Sequence, residues 1–142
     1  MKKLMPAKHF FDTNILLYAY DREAGPKRSA ALSLVEEAFA HPNQTSISVQ
    51  VLQEFFVNFV RGGQSDEEAA RVIDDFAIWH TIPNTLELFH AGLEAKARWQ
   101  LSLWDAMIIA AAQQSGSTIL YTEDLSHQQH YGPVQAINPF YE

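Results

Sequence analysis

Hydrophobic positions along the chain follow two alternating patterns. Short apolar runs bounded by polar or turn-forming residues lie at 7–12, 45–49, 78–82, 117–121 and 134–137, and each reads as a strand. Between them apolar residues recur at helical spacing. Ile15 to Tyr20 gives one or two helical turns and ends in the polar Asp21-Arg22-Glu23-Ala24-Gly25. Pro26 suits the first turn of a new helix, where a missing N–H costs little. Ala31, Leu34, Val35, Ala38 and Phe39 carry its apolar face until His41-Pro42 stops it. A further helix runs from about Val49 to Arg61 and is closed by Gly62-Gly63. Ser65-Asp66-Glu67-Glu68 matches a capping box and starts a helix to about Phe76. Asn84-Thr85-Leu86-Glu87 opens the next helix, which carries Leu88, Ala91, Leu93, Ala95 and Ala97. The last begins at Ser102, and its body from Ala106 to Ala112 is apolar nearly all round, which predicts burial on most sides. Strands alternating with helices imply an α/β domain whose parallel sheet is covered on both faces.

Composition narrows the class. A chain of 142 residues with 47% hydrophobic and 19% charged residues reads as one globular domain with a real core. It has no cysteine, which excludes disulfides, thiolate zinc sites and a cysteine nucleophile, and fits a reducing cytoplasm. Met1 to Pro6 is too short, and too soon broken by proline, for a signal peptide. No apolar run approaches the roughly 20 residues of a membrane span, so a soluble protein without a membrane partner is expected. The formal charge of −7 argues against a protein that coats nucleic acid. It leaves room for an enzyme that acts on nucleic acid, because carboxylates loaded with divalent cations present a positive site. All ten basic residues lie between Lys2 and Arg98.

Four acids stand in apolar surroundings. Asp12 ends the first strand, and Glu54 interrupts the apolar run from Val51 to Val57. Asp105 falls in the first turn of the buried helix, and Asp124 follows the strand ending at Tyr121, with Glu123 beside it. Each has a structural explanation. Taken alone, the helix-cap reading of Asp12 or Thr13 is the more economical one. Glu54 reads equally as a solvated helix residue, Asp105 as the partner of Ser102 in a capping box, and Thr122-Glu123-Asp124 as a turn. Together they change the picture, since strand C-termini and helix N-termini meet at one edge of a parallel α/β sheet, where ligands bind. Like charges gathered there raise one another's pKa unless a cation neutralises them. An all-oxygen donor set suits Mg²⁺ or Mn²⁺ with several waters retained. Such an ion supports phosphodiester hydrolysis.

With Phe11-Asp12-Thr13-Asn14, Glu54, Leu103-Trp104-Asp105-Ala106, Tyr121-Thr122-Glu123-Asp124-Leu125 and Ile137-Asn138-Pro139-Phe140, the sequence resembles the PIN-domain nucleases. Within them it is most similar to the VapC-type toxins of bacterial and archaeal toxin–antitoxin pairs. The likeness covers nearly the whole chain. It implies a three-layer α/β/α fold with a mainly parallel sheet and an Mg²⁺- or Mn²⁺-dependent endoribonuclease. It also implies that Asp12, Glu54, Asp105 and Asp124 are the metal-site acids, with Glu123 the alternative to Asp124, and that Asn14 and Thr122 are supporting polar groups. A small antitoxin and a second copy of the chain are the partners it implies, besides the RNA substrate.

Other readings fare less well. His127 and His130 are three apart without matching ligands nearby and read as a solvated loop. Arg22, Lys27 and Arg28 read equally as phosphate contacts and as ordinary surface. Trp79, Trp99 and Trp104 read as core or interface residues rather than base-stacking platforms, and Phe55, Phe56 and Phe59 as buried against the core or a second subunit. A phosphatase using Asp12 as nucleophile would want a second acid two residues on, where Asn14 stands. No glycine-rich phosphate loop or dinucleotide fingerprint is present. A catalytically silent module that binds RNA or protein is the remaining alternative.

Overall fold

The computed structural model describes residues 7–142, so the Met1 to Pro6 segment of the signal-peptide reading lies outside the described residues. Six strands form one sheet: β1 (His9–Phe11), β2 (Thr45–Ser48), β3 (His80–Ile82), β4 (Ile119–Tyr121), β5 (His130–Tyr131) and β6 (Val134–Ile137). Six α-helices accompany them: α1 (Thr13–Tyr20), α2 (Pro26–Ala40), α3 (Val49–Arg61), α4 (Asp66–Phe76), α5 (Leu86–Trp99) and α6 (Leu103–Gln114). The sheet order is β3-β2-β1-β4-β6-β5, parallel throughout except for β5 against β6.

This order follows from the connections. The chain moves outward from β1 to β2 and β3, through α1–α2 and α3–α4, then returns through α5–α6 to place β4 on the other side of β1. The reversal makes the β1–β4 boundary a topological switch point, where loops part and leave a crevice. In register, Phe11 pairs with Tyr121, so both strands end at the same level. Asp12 and Thr122 are therefore the first residues beyond the sheet.

Strands buried on both faces hold the layers together. Phe10, Phe11, Ile47, Leu120 and Ala136 are all inaccessible. On the α1–α4 side, Phe11, Tyr20, Phe39, Phe55, Phe76 and Trp79 form a continuous aromatic cluster, with neighbouring ring centroids 4.6 to 6.3 Å apart. On the other side lies the buried body of α6, Ala106 to Ala112, as its uniform apolarity predicts. α5 packs closely on α6 at Gly92, where a Cβ would run into Met107 Sδ. The result is the expected three-layer α/β/α arrangement.

Three differences from the sequence reading have physical causes. β1 is shorter than residues 7–12, because Asp12 leaves the ladder to cap α1. β3 begins at His80 rather than Ile78, since Trp79 closes the turn after α4 and fills the core. The two-residue β5 escaped notice because a hairpin that short has no periodicity. Its turn is Gly132-Pro133, with Gly132 at φ 62°.

Candidate active site

The site grows from the end of β1. Asp12 keeps extended backbone and caps α1, its Oδ1 accepting the Thr13 N–H at 2.7 Å. Its own N–H donates to the Tyr121 carbonyl at 3.0 Å, which ties it to β4. The cap reading of Asp12 is thus correct, yet it uses only one of the two carboxylate oxygens. Oδ2 accepts the Thr122 hydroxyl at 2.8 Å. Thr122 is fully buried, donates its N–H to Ile137 O at 3.0 Å, and accepts the Asp124 N–H on Oγ1 at 3.1 Å. One threonine side chain therefore sets both the first acid and the backbone of the fourth.

Asn14, in the first turn of α1, donates from Nδ2 to Asp124 Oδ2 at 2.9 Å. Thr13 donates its hydroxyl to Glu54 Oε1 at 2.7 Å. Glu54 is brought there because Ser48, the last residue of β2, caps α3 directly, its Oγ accepting the Val51 N–H at 3.3 Å. With no intervening loop, the first turns of α3 stay at the sheet edge. Asp105 comes from the first turn of α6, which follows α5 through Gln100 to Ser102 rather than a strand, and its cap Ser102 accepts the Asp105 N–H at 3.1 Å. The capping role is filled by Asp105 backbone, and its carboxylate faces the cleft.

Asp12, Glu54, Asp105 and Asp124 line one cleft of about 230 Å³, together with Thr13, Asn14, Gln50, Asn58 and Trp104. Among the described residues no lysine, arginine or histidine lines it. Burial pushes the Asp12 carboxyl up to about 7. The nearby Asp124 and Glu54 charges push the same way, against the Thr122 and Thr13 hydrogen bonds. Burial and the Asp105 charge likewise raise Asp124. Asn14 Oδ1 is buried without a hydrogen-bond partner. An uncompensated acid cluster with an orphaned amide oxygen fits a hard cation. Among the described residues no three acidic or histidine side chains stand close enough for one ion to touch all of them. Coordination that keeps several waters, as Mg²⁺ prefers, suits that spacing.

Glu123 takes no part in the cleft. It accepts the Tyr18 hydroxyl on Oε1 and pairs with Lys27 Nζ at 2.8 Å on Oε2. Thr13, Gln50 and Asn58 line the cleft but were not among the acids and amides picked out from the sequence. A signal for two of them was present: Gln50, Glu54 and Asn58 are polar at i, i+4 and i+8 along a largely apolar helix, and so share a face. Gln50 Nε2 also donates to the Trp104 carbonyl at 3.3 Å, joining α3 to the start of α6.

The aromatic and basic residues divide. Trp79 is core and Trp99 is half-buried against Tyr131, but Trp104 is 64% exposed at the mouth of the cleft, not in the core. Phe55 is buried, while Phe56 and Phe59 are half-buried. A second groove along α1 and α3 adjoins the cleft through Asn14, Leu17 and Asn58 and reaches Arg22, with Asp21 and Glu23 beside it. Arg22 and Arg28 line a third cavity that Glu36 also enters. His127 is not a freely solvated residue: Nδ1 accepts the Asn138 N–H at 3.0 Å and the ring stacks on Tyr141.

Solved structures share this fold. A toxin–antitoxin complex from Klebsiella pneumoniae superposes with a TM-score of 0.70 at 23% identity, over 93% of this chain and 98% of that one. VapC20 of Mycobacterium tuberculosis, a toxin that cleaves the sarcin–ricin loop, gives 0.62 at 18% identity, over 82% and 89%. VapBC2 of Rickettsia felis, bound to a DNA fragment from its promoter, gives 0.64 at 16% identity, over 90% and 96%. No curated protein matches the chain in sequence. The PIN domain family profile matches residues 9–132, and the chain belongs to that family.

Proposed function

We propose that the protein is a metal-dependent endoribonuclease, the toxin of a VapBC-type toxin–antitoxin pair. One observation carries this reading: four carboxylates from four separate elements line one cleft that no basic residue among the described residues enters. Asp12, Glu54, Asp105 and Asp124 would hold Mg²⁺ or Mn²⁺, with Asn14 and Thr122 orienting Asp124 and Asp12. A divalent ion bound there supplies an activated water and offsets charge developing on phosphoryl oxygens.

The remaining work falls to the chain itself. Thr122 and the Thr13 N–H hold both Asp12 oxygens, so that acid has no freedom to turn. The Thr13 hydroxyl fixes one Glu54 oxygen and Asn14 one Asp124 oxygen. Each keeps a free oxygen for the cleft. Unloaded, four carboxylates would repel a phosphodiester, so a cation held by them would favour substrate binding.

The similar structures include toxins in complex with antitoxins, which supports a small antitoxin as partner. Exposed Leu86, Phe89 and Leu93 on α5 give a second copy an apolar surface to bury, which supports a homodimer. No helix among the described residues is long and apolar enough to cross a membrane, and a cytoplasmic location is part of the same reading.

The test is cleavage of a total-RNA pool by purified protein with Mn²⁺, Mg²⁺ or EDTA, with Asp105→Asn as the contamination control. Metal-dependent cutting that the variant loses is the expected result. RNA binding without cutting, under metal concentrations that saturate the protein, would favour the silent binding module.

A further inference from the structure

We infer that Tyr18 and Lys27 are positioning residues for the acid cleft, acting through Glu123. The inference rests on the metal-site reading above and adds residues to it that do not line the cleft. Two neighbouring carboxylates occupy the turn after β4, and each is held by a different residue of α1. Asp124 is held by Asn14, and Glu123 by Tyr18, residues four apart on α1 and so on one face of that helix.

The grip on Glu123 is built from several groups. Lys27 Nζ lies 2.8 Å from Glu123 Oε2, 4.9 Å from the Tyr18 ring centroid and 5.5 Å from that of Phe140. Tyr18 and Phe140 meet edge to face at 5.3 Å. The Glu123 side chain keeps only 20% exposure, while Lys27 reaches it from a side chain that is 45% exposed. This grip joins the β4 turn to α1, to the first turn of α2 and to the C-terminal segment. Thr122, one residue before, anchors the same turn to Asp12. With Glu123 turned to Tyr18 and Lys27, Asp124 is the carboxylate of this turn that lines the cleft.

Charge and position make opposite forecasts for substitution, which makes the inference testable. Removing the Lys27 ammonium leaves the region more negative, so Coulomb attraction alone predicts tighter cation binding in Lys27→Met. Tyr18→Phe changes no charge, and Coulomb attraction alone predicts no change. Loss of positioning predicts weaker binding in both, by about tenfold, as for other outer partners of metal ligands.

The experiment is Mn²⁺ titration of the full chain without RNA, followed calorimetrically, with melting temperatures measured in EDTA as the folding control. The expected result is weakened Mn²⁺ binding in Tyr18→Phe and Lys27→Met, with Lys27→Arg restored toward wild type. Asp105→Asn is titrated beside them. If Asp105→Asn loses Mn²⁺ binding while Tyr18→Phe and Lys27→Met bind as tightly as wild type or tighter, the positioning role is overturned and the metal site stands. If Asp105→Asn binds Mn²⁺ unchanged, the metal-site reading itself falls and the positioning role with it.

Discussion

Asp12 and Asp105 enter one cleft from opposite walls and are held by opposite means. Asp12 is 5% exposed, with one oxygen on the Thr13 N–H and the other on the Thr122 hydroxyl. Asp105 is half-buried, and among the described residues its carboxylate accepts no hydrogen bond, its backbone N–H alone serving the Ser102 cap. The β1–β4 wall is therefore preset by the fold, whereas the α6 wall beside exposed Trp104 is free to adjust. The price of the fixed wall is a buried carboxylate raised to about 7.

The largest effects fall on activity. Asp12→Asn and Asp105→Asn should each lower cleavage by more than the roughly 10–100-fold that loss of an outer partner costs, with folding retained. Circular dichroism and the RNA assay check both statements. Full activity in both variants would end the nuclease assignment. The two should then part on stability. A carboxyl whose folded pKa lies above its unfolded value of 3.8 favours the native state while protonated, and that advantage is lost as pH rises through about 7. Metal-free wild type should lose up to ~4 kcal/mol between pH 4 and 8 from this group, by about 1.4 kcal/mol per unit. Asp12→Asn should flatten that decline in denaturant titrations, and Asp105→Asn should leave it in place.

Smaller effects sharpen the contrast. At a hundredfold excess over its dissociation constant, Mn²⁺ should add about 2.7 kcal/mol to wild-type stability and little to Asp105→Asn. Thr122→Val keeps the shape but leaves Asp12 Oδ2 and the Asp124 N–H without their partner. It should cost about 1–3 kcal/mol and push the Asp12 carboxyl higher still. Ser102→Ala, on the adjustable wall, removes only a helix cap. About 1 kcal/mol of stability should go, with cleavage reduced far less than in Thr122→Val.

Much of this was legible in the residues. Periodicity and caps located six helices and five of six strands, because an amphipathic face and a capping side chain are local properties. Ser65 and Ser102 cap the helices they were expected to open, and within the Asn84–Glu87 signal the cap is Thr85, each accepting an N–H three residues on. Alternation of strands with helices required a parallel sheet. Once its strands end together, acids at strand C-termini and helix N-termini are forced to one edge. Asp12, Glu54, Asp105 and Asp124 were thus legible as one group before any contact was known.

What the residues left open depended on direction. Glu123 and Asp124 are adjacent carboxylates on one turn, and nothing local distinguishes them. Tyr18 and Lys27, about 100 positions away along the chain, take one, and Asn14 takes the other. Trp104 has the apolarity of a core residue, yet the rotation of α6 about its axis leaves it in solvent while Ala106 to Ala112 fill the interior. Order, period and charge belong to the sequence because they act over one or two helical turns. The side on which each group emerges belongs to the tertiary structure, since it is set by contacts between segments far apart in the chain.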